Sequence, residues 1–317
     1  MGVIALGCVG IGGLAFYENW QQEQNYQAGH AAYLNADCAT ASDPLAKAAS
    51  GNPGTKDSEV ARKAEAELQE CQAFTEIASL PAGDAVLNYR DFVSKYDPSP
   101  LSKPALENAQ GLIANTQPAD LAGPGFCQSL DDLVADQYIA QPDAFVPAML
   151  LVCGQAAETE QAFSDAVFYY DRFRSEFPDH PQIEDANESF VRATIAEAEA
   201  FGAGGLPAPQ VIGGGSDSGE VVVIIQNDSP EKLSMVFSGP ETRVEELGPC
   251  TDCEKFTGDG PAACPELGPV GRYVLAPGTY TVVVKASSDQ GVTPFSGSWE
   301  LEGGQEYSSC FFLVTSN

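Results

Sequence analysis

Positive charge is scarce in this chain. Its 317 residues include 15 Lys and Arg against 45 Asp and Glu, a formal net charge of −30. The first basic residue is Lys47. A surface this acidic repels nucleic-acid phosphates and anionic lipid headgroups, so no nucleic-acid partner is expected. The deficit is not confined to a tail: residues 219–317 carry a net −9 and the remainder −21. Histidine is nearly missing as well, with only His30 and His180. There is no G-x-S-x-G elbow, no phosphate-binding P-loop and no dinucleotide fingerprint. Asp131-Asp132 fits a solvated helix face better than a pair of catalytic carboxylates. The expectation is a chain that is not an enzyme, with no cofactor and no metal.

What is present begins with an apolar stretch. Gly2 to Tyr17 contains no charge, and Glu18-Asn19-Trp20 turns polar. At about 16 residues it is a little short for a helix spanning a bilayer, and it lacks the basic flank that sets orientation. Residues 1–17 are therefore expected to be an N-terminal anchor or signal segment. Ala5-Leu6-Gly7-Cys8 resembles a bacterial lipobox, except that the pattern wants Leu where Ala5 stands; Cys8 is the candidate for lipid attachment.

Eight further cysteines fall into two groups: Cys38, Cys71, Cys127 and Cys153, then Cys250, Cys253, Cys264 and Cys310. An even number in each group is what disulfides contained within domains require. Disulfides persist outside the reducing cytosol, so the expected location is extracytoplasmic, periplasmic or cell-surface. Cys250-Thr251-Asp252-Cys253 could contribute two zinc ligands, but zinc knuckles pair two such units, and Cys264 and Cys310 are far apart in sequence. A redox-active pair would want a helix N-terminus to lower the thiol pKa, whereas Gly248-Pro249 and Gly258 mark a loop. Two disulfides are expected here, with their connectivity open.

Residues 18–201 are rich in Ala, Glu, Gln and Leu at helical spacing. Two stretches match at an offset of 81: Asp84-Ala85-Val86-Leu87-Asn88-Tyr89 with Asp165-Ala166-Val167-Phe168-Tyr169-Tyr170. Phe92 aligns with Phe173, Tyr96 with Phe177, Pro100 with Pro181 and Ala105 with Ala186. Positions 85, 89, 92 and 96 trace the buried stripe of an amphipathic helix. Each copy reads as helix, Pro-containing turn, helix. The cysteines follow the duplication, Cys71 and Cys153 each preceding one copy, so the expected bridges are Cys38–Cys71 and Cys127–Cys153. Closing such loops stabilises by roughly 3 to 4 kcal/mol each in a chain-entropy model.

The run Ala166-Val167-Phe168-Tyr169-Tyr170-Asp171-Arg172-Phe173, with Phe177-Pro178-Asp179-His180-Pro181, resembles a tetratricopeptide repeat of the kind in bacterial envelope assembly lipoproteins. Asp84 to Ala105 is a second, weaker copy, and Tyr33 to Cys38 resembles the opening of a degenerate first copy. The resemblance implies a curved stack of helix pairs that binds a protein partner on its concave face.

Residues 202–219 hold seven Gly and two Pro and read as a flexible linker. In 220–317 the period becomes that of strands. Candidate strands are Val221–Ile225, Leu233–Phe237, Arg272–Leu275, Thr279–Lys285, Ser296–Glu302 and Glu306–Thr315. Ala276-Pro277-Gly278 and Gly303-Gly304-Gln305 read as hairpin turns. The expected fold is thus multidomain, α then β: a tetratricopeptide-like solenoid followed by a small, disulfide-bonded antiparallel β-sandwich. The function expected is a non-enzymatic protein-binding scaffold or adaptor of the bacterial cell envelope, reaching the membrane through its N-terminal segment. The alternative is a secreted carbohydrate- or surface-recognition module, with Tyr273, Tyr280, Trp299 and Tyr307 as a sugar-stacking face.

Overall fold

The structure, a computed structural model, describes residues 10–51, 55–214, 219–257, 260–261, 263–287 and 293–315. Helices come first: α1 (Gly10–Leu34), α2 (Cys38–Ser50), α3 (Glu59–Ile77), α4 (Ala82–Tyr96), α5 (Ser102–Asn115), α6 (Pro118–Leu121), α7 (Pro124–Gln128), α8 (Leu130–Ala135), α9 (Pro142–Thr159), α10 (Phe163–Glu176) and α11 (Ile183–Ala200). Strands follow: β1 (Gly204–Gly205), β2 (Gln210–Gly214), β3 (Val221–Asn227), β4 (Leu233–Ser238), β5 (Thr242–Leu247), β6 (Phe256–Thr257), β7 (Val270–Leu275), β8 (Gly278–Ala286), β9 (Phe295–Leu301), β10 (Gln305–Phe311) and β11 (Val314–Thr315). Helix starts carry their chemistry. The Asp37 carboxylate accepts the N–H of Thr40 at α2, and the Ser58 hydroxyl that of Ala61 at α3. Pro118 and Pro124 stand in first turns, where a missing N–H costs nothing. No helix among the described residues is long and apolar enough to cross a membrane. Cys8 and residues 1–9 of the expected anchor lie outside the described residues.

The chain divides into two compact units, Met1–Met149 and Leu150–Asn317. In the first, α1, α2 and α3 pack together, and a disulfide joins Cys38 to Cys71 with 5.2 Å between Cα atoms. Phe74 of α3 lies 5.7 Å, centroid to centroid, from both Tyr89 and Phe92 of α4. Helix α5 packs on α4, burying Ala105, Ala109 and Ile113 at four-residue spacing.

In the second unit α10 and α11 repeat the α4–α5 arrangement position by position. Ala85, Tyr89, Phe92 and Ala105 are buried, and so are their counterparts Ala166, Tyr170, Phe173 and Ala186. Helix α11 then packs against β4, β5, β8 and β9. Its Glu197 is buried and satisfied twice, by the Ser164 hydroxyl and the Lys285 ammonium, both at 2.8 Å. A buried carboxylate needs such partners, so this trio fixes the helix to the sheet.

Strands form a five-stranded sheet of order β1-β9-β8-β4-β5, a four-stranded sheet of order β2-β10-β3-β7 and a two-stranded β11-β6 pair. One hydrophobic core draws Val223, Ile225, Tyr273 and Tyr307 from the four-stranded sheet and Phe237, Val282 and Trp299 from the five-stranded one. The sheets are mixed, not antiparallel as expected: β10 runs parallel to β3, and β1 parallel to β9. Neither expected hairpin forms. Ala276-Pro277 leads from β7 in one sheet to β8 in the other, and Glu302-Gly303-Gly304 likewise leads from β9 to β10. Alternation and turn residues mark strand ends, but they do not say which sheet the next strand joins.

The expected linker is also corrected. Residues 204–205 pair with β9, and residues 210–214 with β10. Leu206 is buried, its N–H donates to the Ser296 carbonyl at 2.8 Å, and the Trp299 indole donates to the Pro207 carbonyl at 3.0 Å. The glycines serve close approach: a Cβ on Gly204 would lie 2.9 Å from the Phe295 ring, and one on Gly297 only 2.4 Å from the Leu206 carbonyl oxygen. The boundary between compact units consequently falls inside the helical region, not at 202–219. Replacing Leu206 by Asp is expected to destabilise the second unit by roughly 2–4 kcal/mol in urea unfolding. A flexible tether would tolerate the change.

Candidate partner-binding groove

Helix α5 presents Gln110 and Ala114 beside its buried stripe. After α8 the chain turns at Gln137, whose φ is +63°. The Gln110 side-chain amide donates to the Gln137 carbonyl at 2.9 Å, which holds this turn against α5 and leaves Tyr138 and Ile139 facing inward. Helix α9 begins three residues later, with the Gln141 carbonyl accepting the Phe145 N–H at 3.1 Å. These elements enclose a groove of about 490 Å³. Ile113, Pro118, Ile139, Ala144 and Phe145 supply apolar walls, and Gln110, Thr116 and Gln141 supply uncharged polar groups. No ionisable side chain lines it. Apolar walls with a few amides and a hydroxyl suit burial of apolar side chains and hydrogen bonding to a peptide backbone.

A second cluster joins α1 to α3. Glu67 Oε1 accepts from the Tyr26 hydroxyl at 3.0 Å and lies 2.8 Å from His30 Nδ1. Glu67 Oε2 is buried with no hydrogen-bond partner among the described residues. Glu70 accepts from the Tyr33 hydroxyl at 2.7 Å and the Ser99 hydroxyl at 2.8 Å. The His30 ring stacks between Tyr26 and Tyr33, at 5.2 and 6.4 Å. Burial, and then the hydrogen bond to Glu67, push the Tyr26 phenol up to about 12. Burial also pushes Tyr33 up to about 12; the Ser99 hydrogen bond opposes this and Glu70 adds to it.

The other residues singled out in the sequence are placed as follows. Cys250 is joined to Cys253, and Cys264 to Cys310; Cys127 and Cys153 are each disulfide-bonded. Tyr273, Tyr280, Trp299 and Tyr307 are all buried in the shared core, so they form no sugar-stacking face. Their polar ends meet backbone where these bonds are seen: Tyr280 donates to the Ala276 carbonyl at 2.9 Å, and the Tyr307 oxygen accepts the Glu302 N–H at 2.8 Å. Asp132 pairs with Arg90 at 3.0 Å, and His180 Nδ1 accepts the Gln182 N–H.

Asp228 stands in Asn227-Asp228-Ser229-Pro230, which the sequence marks as a turn and not as a site. It is fully buried, and its carboxylate accepts the N–H groups of Glu266, Leu267 and Gly268 at 2.8–3.1 Å. One of its oxygens and the sulfurs of Cys264 and Cys310 lie within 4.8 Å of one another. Those sulfurs are bonded to each other, so they have no thiolate to offer a metal. An Asn-Asp-Ser turn is the only signal at this position, and it reads as an ordinary turn.

No family model matches this chain, and neither does any curated protein.

The two phenols make stability depend on alkali. Their folded values lie above the ordinary 10.0, so their contribution is complete below pH 10 and is lost as pH rises through about 12. Helical circular dichroism of the intact protein should fall across that window. Replacing Tyr26 and Tyr33 together by Phe should flatten the fall, because Phe carries no proton to lose.

Proposed function

We propose that the protein is a non-enzymatic scaffold or adaptor of the bacterial cell envelope, holding a protein partner in the groove beside α5. The neutral apolar groove on a chain of net charge −30 carries this reading. A partner contacting the chain's 45 carboxylates would have to strip water from them, which is costly; a groove with no ionisable lining asks for none of this. The matching buried positions of α4–α5 and α10–α11 support a tetratricopeptide-like stack of helix pairs. The core shared by the two larger sheets supports a β-sandwich module. Eight disulfide-bonded cysteines favour an extracytoplasmic setting, with the N-terminal segment as membrane anchor. The carbohydrate alternative loses its motivation once the four rings are buried.

A photo-crosslinking residue at Gln141, on the exposed rim, tests the groove. In envelope preparations it should yield one dominant protein adduct. Ala144→Glu, which places a charge at the groove mouth, should cut that adduct at least about tenfold. Equal labelling from a crosslinker at exposed Lys103 would reject the groove as the partner site.

A further inference from the structure

Helix α1 packs on α2 and α3. Among its described side chains the first buried one is Gln22, whose amide donates to the carbonyls of Ala48 at 2.8 Å and Thr55 at 3.2 Å. One turn before Gln22, Tyr17 and Trp20 sit side by side with centroids 6.0 Å apart. They are 56% and 53% exposed. Two large rings held out in water one helical turn apart are an unfavourable arrangement for a surface that meets only solvent. The helix runs on without a break to Gly10, and Gly2 to Phe16 contains no charged or strongly polar residue. Polarity thus changes along α1: uncharged sequence from Gly10 to Phe16, then two amphipathic rings, then the packed part of the helix.

That order is the polarity profile of a lipid interface. Tyr and Trp favour headgroup depth, where an apolar body and a polar tip are both satisfied. Helical rise takes Gly10 to Phe16 about 10 Å deeper, roughly a third of a hydrocarbon core of about 30 Å. The sign of the lipid charge follows from the chain. Glu18 lies between the two rings and Glu23 one turn after them, Lys47 is the first basic residue in the sequence, and the whole carries −30, so anionic headgroups are repelled.

We propose that α1 seats end-on in a zwitterionic lipid surface, with Tyr17 and Trp20 at headgroup depth. This rests on the membrane-associated part of the functional reading, but not on the groove or its partner.

The chain has two tryptophans, and the other, Trp299, is fully buried, so an emission change on adding lipid reports Trp20. The full chain is mixed with phosphatidylcholine vesicles. Emission should move to shorter wavelength, and lipids brominated near the headgroup end of the acyl chain should quench more than lipids brominated near the chain terminus. Trp20→Phe should still co-sediment with vesicles while losing the emission shift. Replacing Tyr17 and Trp20 together by Ala should weaken partitioning at least about tenfold, given the area of two rings. Absence of both shift and co-sedimentation would overturn the proposal, as would tighter binding to phosphatidylglycerol than to phosphatidylcholine. A shift produced by a protein partner and not by vesicles would also overturn it, making the rings a protein contact. Crosslinking from Gln141 in the double Ala variant, in detergent-solubilised envelope preparations, reads the groove separately, so loss of lipid binding and loss of partner binding are told apart.

Discussion

Sulfur–sulfur bonds hold the parts of this protein that have too little apolar surface to hold themselves. Helix α2 buries Cys38, Ala41, Leu45 and Ala48, which amounts to one large side chain, and it is Cys38 that ties it to α3. Between β5 and β7 the chain forms only the two-residue strand β6 among its described residues, and it depends on Cys250–Cys253 and Cys264–Cys310. Around those bridges the backbone is drawn tight. The Asp228 carboxylate gathers three successive N–H groups, and a Cβ on Gly268 would come within 1.7 Å of the Asn227 carbonyl oxygen, so only glycine fits there. Such a segment cannot fold by burying side chains, because few of them are apolar and large. It folds because its ends are cross-linked and its amides converge on one buried anion.

A different device joins helix to sheet in the second unit. The buried carboxylate of Glu197 on α11 is held by the exposed Ser164 of α10 and the part-exposed Lys285 of β8. Removing Lys285 would leave the Glu197 carboxylate buried without its counter-charge, so the packing is specific as well as apolar. The effect is to bring the second copy of the helical duplication into the same compact unit as the strands, while the first copy belongs to the other unit.

Much of the helical part was legible in the sequence, because the offset of 81 compares the chain with itself: where both copies keep Ala, Tyr or Phe, both copies bury it. Strand positions were legible for the same kind of reason, since alternation is local. Strand partners were not. Ala276-Pro277-Gly278 carries turn residues whether it closes a hairpin or bridges two sheets, and the difference lies in residues distant in sequence. The glycines of 202–219 misled most. Glycine composition reports what a segment cannot bury, but the Gly204 amide still donates to the Pro294 carbonyl just before β9 and the Leu206 amide to Ser296 of β9, and small residues are what close pairing beneath Phe295 demands. The groove was invisible in sequence because Gln110, Ile139 and Phe145 belong to three separate segments, none carrying a motif. Asp228 was invisible because its donors stand about forty residues away.

These features support one picture. The chain is cross-linked and acidic, carries an uncharged groove proposed as a partner site, and exposes Tyr17 and Trp20 on α1, proposed as a lipid contact. All of it presupposes that the sulfurs are oxidised where the protein works. The most direct test is the intact mass of protein purified under non-reducing conditions with thiols blocked at lysis, before and after reduction. The account predicts that the eight cysteines from Cys38 to Cys310 resist alkylation until reduced, with a gain of about two mass units for each bridge opened. Alkylation of those cysteines in the unreduced native protein would contradict it, and would remove the oxidising compartment on which the envelope role depends.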